Sequence, residues 1–198
     1  MKIRILTLII AISIFISCSN ESDVKNEMAS TEYASSGNDF RNANWGMSIE
    51  EVKQTEDVGV FIEEMETRNG YRITYNSKIE GIPSTLSYYF KDNKFMQAGY
   101  EVVSESGNFT EQELDEKFNI LNKMLISKYG EPKDKMDSRA AGIFRIVGRW
   151  YTPSDVEVGL MADKTTPAGR LVLNFKSPEQ HKSEKSMTTQ NPAQSDKK

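Results

Sequence analysis

Apolar and polar residues alternate with a period of two through most of the middle of the chain. From Tyr71 to Ile79, apolar residues at 71, 73, 75 and 79 point one way, and polar residues at 72, 74, 76 and 78 point the other. The same pattern predicts further strands at 86–90, 95–103, 144–151, 156–160 and 171–175. Asp92 and Asn93 predict a two-residue hairpin turn. One apolar face per strand is typical of an antiparallel sheet with a solvated side.

Two segments have helical signals instead. Ser48–Glu51 matches a capping box and predicts a short helix from Ile49 to about Thr55. A second capping box at Thr110–Glu113 begins a longer helix that ends at Gly130. Its apolar stripe recurs at i, i+4, i+7 and i+11: Leu114, Phe118, Leu121 and Leu125. This order predicts an α+β fold, an antiparallel sheet packed on one long and one short helix, and leaves open two helix-plus-strands repeats.

Composition divides the chain into four parts. Residues 1–17 are predicted to be a signal peptide and residues 18–38 a flexible polar tether. Residues 39–176 form a single domain of ordinary size, and residues 177–198 are predicted to be a disordered tail. By random-coil scaling, a tether of roughly 20 residues would hold the domain about 25 Å from its attachment point.

The lone cysteine of the chain, Cys18, follows a short apolar run that begins after Lys2 and Arg4. The run is about 13 residues long and is too short to span a ~30 Å hydrocarbon core. Its end, Phe15-Ile16-Ser17-Cys18, resembles the lipobox of bacterial lipoprotein signal peptides, although Phe15 stands where leucine is usual. The resemblance implies cleavage before Cys18 and lipid attachment to its sulfur. Because Ser19 follows, it also implies the outer rather than the inner membrane in a cell that has both.

Charge and cysteine content narrow the classes of partner and the forces that hold the fold. Without residues 1–17 the chain has 23 basic and 29 acidic residues, a formal charge of −6. A mildly acidic chain without a basic stripe argues against nucleic-acid binding. With one cysteine, no disulfide can form within the chain, so a hydrophobic core has to hold the domain.

Two short motifs carry a further resemblance. The stretch from Phe40 to Lys53, which contains Trp45-Gly46-Met47-Ser48, resembles the helix entry of small extracytoplasmic lipoproteins. Lys128–Pro132 is similar to the helix exit of the same domains. The layout resembles the α+β repeats of β-lactamase-inhibitor-protein-like domains and small outer-membrane-assembly lipoproteins. This implies a fold rather than an activity, and that family's partner-binding residues match no position here.

Catalytic and metal-binding patterns are sparse. His181, the single histidine, lies in the predicted tail, which argues against a Ser-His-Asp triad, a Cys-His pair or an HExxH zinc site. Two acidic clusters leave carboxylate chemistry or calcium binding open. A solvated strand edge and a helix N-terminus explain them more simply. The clusters are Glu63, Glu64 and Glu66, and Glu111, Glu113, Asp115 and Glu116.

The sequence therefore favours a non-catalytic lipoprotein of the cell envelope, without a cofactor, that binds another protein. Trp45, Tyr89 and Trp150 are candidate partner contacts, although aromatic residues in such strands more often pack in the core. Two alternatives stay open: an inhibitor of a secreted hydrolase, and a carboxylate-dependent hydrolase.

Overall fold

The computed structural model describes residues 39–56 and 59–189. The predicted signal peptide, Cys18 and the tether lie outside the described residues. Within these two ranges there are three α-helices: α1 Ile49–Thr55, α2 Glu111–Tyr129 and α3 Pro178–Thr189. Eight strands are present: β1 Phe61–Thr67, β2 Gly70–Ile79, β3 Ile82–Lys91, β4 Lys94–Val102, β5 Asp134–Asp137, β6 Arg145–Tyr151, β7 Glu157–Asp163 and β8 Arg170–Lys176.

All eight strands form one antiparallel sheet in the order β1-β2-β3-β4-β8-β7-β6-β5. The predicted α+β class is confirmed. A helix followed by a four-strand meander occurs twice, α1 with β1–β4 and α2 with β5–β8. The two meanders join edge to edge through their last strands, because β4 pairs with β8.

Helices α1 and α2 cover the same face of the sheet, which we call the core face. Ser48 and Glu51 make the predicted capping box at α1, and Thr110 accepts from the Glu113 amide at the start of α2. The apolar stripe of α2 is buried as predicted, with Leu114 and Leu121 at 0% exposure. Asp92 and Asn93 have φ angles of 51° and 57°, as the predicted tight turn requires.

A turn that precedes α1 closes the core over the junction of the meanders. Phe40 is 1% exposed, and its ring centroid lies 5.0 Å from that of Phe175 in β8. The same ring is 6.2 Å from Phe95 and 6.4 Å from Tyr100, both in β4. Phe40 therefore contacts both strands of the junction at once.

A buried polar cluster fixes this turn to the end of α1. Arg41 Nε lies 3.1 Å from Glu56 Oε2, and the Asn42 amide donates to Glu56 Oε1 at 3.2 Å. The Glu56 side chain has 0% exposure. Arg41 Nη1 also donates to the Tyr100 hydroxyl at 3.2 Å. The Tyr88 hydroxyl, buried near Glu56, has no hydrogen-bond partner of good geometry.

The predicted disordered tail is wrong for residues 178–189, which form α3. Ser177 caps this helix by accepting from the Gln180 amide at 3.1 Å, and Pro178 occupies the first helical position, where proline is favoured. The prediction failed because it looked for apolar residues, whereas ion pairs hold α3. Strand β5 also escaped prediction, since its four residues are all exposed and show no alternation.

No helix of the described residues combines the length and apolarity needed to cross a membrane. The core face instead buries apolar side chains between the sheet and the helices α1 and α2.

The two neighbouring tyrosines of the buried cluster should respond oppositely to removal of their hydroxyls. We expect Tyr88→Phe to leave the free energy of unfolding unchanged or to raise it by up to about 1 kcal/mol, because it removes an unpaired buried hydroxyl. Tyr100→Phe should lower it by about 2 kcal/mol, because it removes the acceptor of a charged donor. Urea unfolding at pH 7 measures both, and equal losses would contradict the cluster as described.

The Tyr88→Phe variant should also change how the free energy of unfolding depends on pH. Burial, followed by the charge of Glu56, raises the pKa of Tyr88 well above its usual value of 10. A raised folded-state pKa contributes stability that is present below the unfolded-state pKa and is lost as the pH rises through the folded-state value. Tyr88→Phe should therefore lose less stability than the natural protein between about pH 9 and about pH 11.

Candidate functional site

The sheet face opposite α1 and α2, which we call the open face, is covered by neither of these two helices. Strand alternation places every second residue of β2, β3, β4, β8, β7 and β6 on it. Their burial patterns alternate accordingly; β7, for example, alternates half-buried and buried residues along its whole length. Of the three helices, only α3 lies on this side, because its ion-pair partners are open-face residues of β7 and β8.

Strand register aligns small and polar residues into a shallow trough across the middle of the open face. Successive cross-strand partners along this row are Thr74, Ser87, Gly99, Asn174 and Gly159. A side chain added at Gly99 would meet Asn174 Oδ1 at 2.5 Å. At Gly159 an added Cβ would meet nothing within 4 Å. The floor of the trough therefore admits a partner's atoms close to the backbone at Gly159.

The next row of the open face is apolar. Val172, Met161, Val147 and Met136 are consecutive cross-strand partners on β8, β7, β6 and β5. We call these four residues the apolar ladder. Met136 is 47% exposed at the sheet edge, whereas Val172 near the centre is 7% exposed. An apolar strip of this kind on a solvated sheet face is a common feature of interaction surfaces.

Charged pairs border the ladder on its outer side. Arg145 Nε donates to Asp163 Oδ2 at 2.8 Å, and Arg170 Nε donates to Glu101 Oε1 at 3.0 Å. Asp163 is the cross-strand neighbour of both Arg145 and Arg170. An apolar centre with a polar rim matches the layout of protein–protein interfaces.

A groove of about 1040 Å³ runs between α3 and the sheet at the other end of the open face. We call it the α3 groove. Its lining includes Tyr89 and Gln97 from the sheet and Gln180, Ser183 and Glu184 from α3. The groove is continuous with the trough and the ladder, because Asn174, Val172 and Met161 also line it.

The three predicted aromatic contacts divide between the two faces. Tyr89 lies on the open face between its cross-strand partners Arg72 and Gln97. Trp150 is 1% exposed on the core face, and its indole N–H donates to the Gly130 carbonyl at 2.8 Å, closing the end of α2. Trp45 stacks on Phe95 with ring centroids 4.6 Å apart, also on the core side. Burial therefore rules out Trp150 as a contact, and Tyr89 alone belongs to the open face.

The acidic clusters are tied into surface ion pairs. Glu63 pairs with Arg72, and Glu64 accepts from Lys53 at 2.7 Å and from the Tyr71 hydroxyl at 2.6 Å. The hydrogen bond from Lys53, then that from Tyr71, lowers the pKa of Glu64. A general acid needs the opposite shift, toward neutral pH. The geometry at Glu64 therefore favours the strand-edge interpretation.

The second acidic cluster, at the start of α2, has the same character. Glu113 lies 3.2 Å from Lys117, and Asp115 lies 2.8 Å from Arg139. Within residues 39–56 and 59–189, no group of three or more histidine, cysteine, aspartate or glutamate side chains is arranged to hold a metal ion. His181 also has a carboxylate neighbour, with Nδ1 2.9 Å from Glu157 Oε2.

No protein-family model matches the chain, and searches of curated proteins and of solved structures gave no match. The resemblance to inhibitor-like and assembly lipoproteins therefore stays a prediction.

Sequence reasoning missed the trough and the ladder. The alternation of β7 indicates that Met161 faces away from Leu160, but it does not say which residues of other strands lie beside Met161. That information is in the register, which loops and bulges set together with the core. The row of Gly99 and Gly159 within apolar strands was the available signal, since strand glycines often mark a close approach of another group.

Neighbouring residues of β7 test the two faces directly. Leu160→Ala should lower the free energy of unfolding by about 3 kcal/mol, because Leu160 has 0% exposure in the core. Met161→Ala should lower it by about 1 kcal/mol or less, because Met161 lies half-buried on the open face. Urea unfolding of the two variants provides the comparison. A larger loss at Met161 than at Leu160 would reverse the assignment of the faces.

Proposed function

We propose that this protein is a lipid-anchored, extracytoplasmic lipoprotein that binds another envelope protein through the open face of its sheet. The observation that carries the binding proposal is the apolar ladder of Val172, Met161, Val147 and Met136, aligned by register and bordered by ion pairs. The lipobox-like end at Cys18 carries the anchoring proposal. Two or more acyl chains are needed for stable membrane attachment, as lipoprotein processing would supply.

The open face is better suited to binding a protein than to catalysis. The side chains that line it include amides, hydroxyls, paired arginines and aliphatic groups. At Asp163, burial is outweighed by hydrogen bonds from Thr165 and Arg145, which lower the pKa, the opposite of the shift that a general acid needs. Ladder, trough and groove together offer an apolar centre, hydrogen-bonding groups and a floor that is open at Gly159. These are the elements of a protein interface. A secreted hydrolase stays open as the partner, in which case the domain would be an inhibitor.

The anchor is tested by one substitution. Protein extracted from membranes should begin at Cys18 and carry added lipid mass, whereas the Cys18→Ala variant should carry no added lipid and should leave the membrane fraction. Intact mass spectrometry of both fractions measures cleavage and acylation together. A natural protein that retains Met1 and is recovered without lipid would contradict the proposal.

The binding surface is tested by photocrosslinking in the cell that makes the protein. A photoreactive amino acid at Met161 or Tyr89 should form adducts with a discrete partner, because both residues lie on the open face. The matched control is Ile120, an apolar residue of α2 that is 48% exposed but lies away from that face. Adducts of equal yield at Ile120, or none at Met161 and Tyr89, would count against the open face.

Inhibition can then be separated from simple binding. If the adduct contains a secreted hydrolase, titration of that enzyme with the purified domain should abolish turnover at stoichiometric concentration. A hydrolase that binds but keeps its full rate would leave binding in place and remove the inhibitor alternative.

A further inference from the structure

Helix α3 stands on the open face that the proposed function assigns to a partner. Ser177, which precedes it, is tied to β4 by a hydrogen bond from its amide to the Met96 carbonyl at 2.9 Å. The helix then passes over a row of four cross-strand neighbours in the sheet: Gln97, Lys176, Glu157 and Tyr151. Its residues Gln180, Ser183 and Glu184 form one wall of the α3 groove.

Polar contacts hold α3 in place. Lys176 Nζ lies 2.6 Å from Glu184 Oε2 and 3.2 Å from Glu157 Oε1. His181 Nδ1 lies 2.9 Å from Glu157 Oε2, and its ring centroid is 5.2 Å from that of Tyr151. At the turn between β6 and β7, Lys182 Nζ lies 3.6 Å from Asp155 Oδ2.

No described α3 side chain adds a hydrophobic anchor. From Pro178 to Ser186 each residue is half-buried or exposed, and all except Pro178 have polar or charged side chains. Partly exposed ion pairs are weak individually and are screened by salt. The attachment of α3 therefore differs in kind from that of α2, which buries Leu114, Phe118, Leu121 and Leu125.

The position of α3 conflicts with a partner that lies flat on the sheet. A helix is about 10 Å across with its side chains, and an eight-stranded sheet is roughly 35 Å wide. A protein interface of ordinary size covers about 800 Å² on each side. A partner can enter the α3 groove, which Tyr89 and Met161 both line, but while α3 is docked it cannot lie flat across the row of Gln97, Lys176, Glu157 and Tyr151.

We propose that α3 is a self-docked strap that occupies part of the open face and has to release before a partner covers it. This inference rests on the proposed function for the identity of the face. The release itself is a property of the chain alone, so it can be measured without a partner.

The release test uses the full-length chain with Cys18→Ser and one new cysteine reporter. Gln97→Cys reports on the groove beneath α3, and Asn76→Cys, exposed on the same face outside the groove, is the reporter control. Glu184→Lys breaks the contact with Lys176. Glu179→Lys makes the same change of charge on an exposed α3 residue for which the structure shows no ion pair. Because Glu179 lies in the first turn, this change also removes a favourable interaction with the helix dipole, so a smaller effect is expected of it.

Glu184→Lys should speed maleimide labelling at Gln97→Cys by about two- to five-fold, the range expected for loss of one ion pair. Glu179→Lys should change it less than Glu184→Lys does, and labelling at Asn76→Cys should not change. Added salt should speed Gln97→Cys labelling in the chain that keeps Glu184. Hydrogen exchange of the α3 amides gives an independent readout. Equal labelling rates in the Glu184→Lys and Glu179→Lys chains would overturn the strap.

The second arm measures access in the cell. Met161 photocrosslinking in the lipoprotein with Cys18 intact should increase by at least about two-fold with Glu184→Lys and should increase less with Glu179→Lys. Where capture is detected, faster labelling with unchanged or reduced capture would overturn the strap, because α3 would then be a wall of the site. Faster labelling without capture in any variant would support release of α3 and count against the proposed function, so the two failures are distinguishable.

Discussion

The pairing of β4 with β8 is the constraint on which the rest of the architecture depends. Each meander by itself would be a four-stranded sheet with both edges open and would cover only half of a core. Pairing their last strands joins the two halves into one sheet. Phe40 then packs across the junction onto Phe175, Phe95 and Tyr100. The buried pair of Arg41 and Glu56 holds that turn in register, since a buried charge without its partner would be costly.

One consequence is that the two faces of the sheet have different physical roles. Helices α1 and α2 and the turn at Phe40 all pack on the core face. Of the described helices, α3 alone lies on the other face. A solvated sheet face normally carries polar side chains. Here the register instead brings four apolar residues together at Val172, Met161, Val147 and Met136, which core packing does not require.

How far the sequence could predict this molecule depends on the range of the interactions. Two kinds of local signal depend only on near neighbours in the chain: the predicted capping boxes and the alternation from Tyr71 to Ile79. The structure confirms the alternation and the box at Ser48, whereas at Thr110 it shows one of the two bonds, from the Glu113 amide to the Thr110 hydroxyl. Strand β5 and helix α3 have no apolar periodicity, so a prediction based on apolar patterning and composition does not find either element. The capping pattern at Ser177 followed by Pro178 would have indicated α3.

The candidate site was harder to foresee for a related reason. Tyr89 could be assigned to the open face from its own strand, because alternation is local. Residue type predicts Trp150 as a contact, but its 1% exposure and its hydrogen bond to the Gly130 carbonyl place it in the core. The ladder and the trough exist only after strands distant in sequence are set in register, and no single segment contains them.

The point at which the chain enters the domain bears on how such a site could work at a membrane. Asp39 leads directly into Phe40, and Phe40 packs on the core side of the sheet. A lipid on Cys18 would therefore connect to the domain on the side away from the open face. Under the proposed function, α3 rather than the point where the chain enters the domain stands on the face that a partner would cover. Among the described helices, α3 is the one that does not pack on the core face.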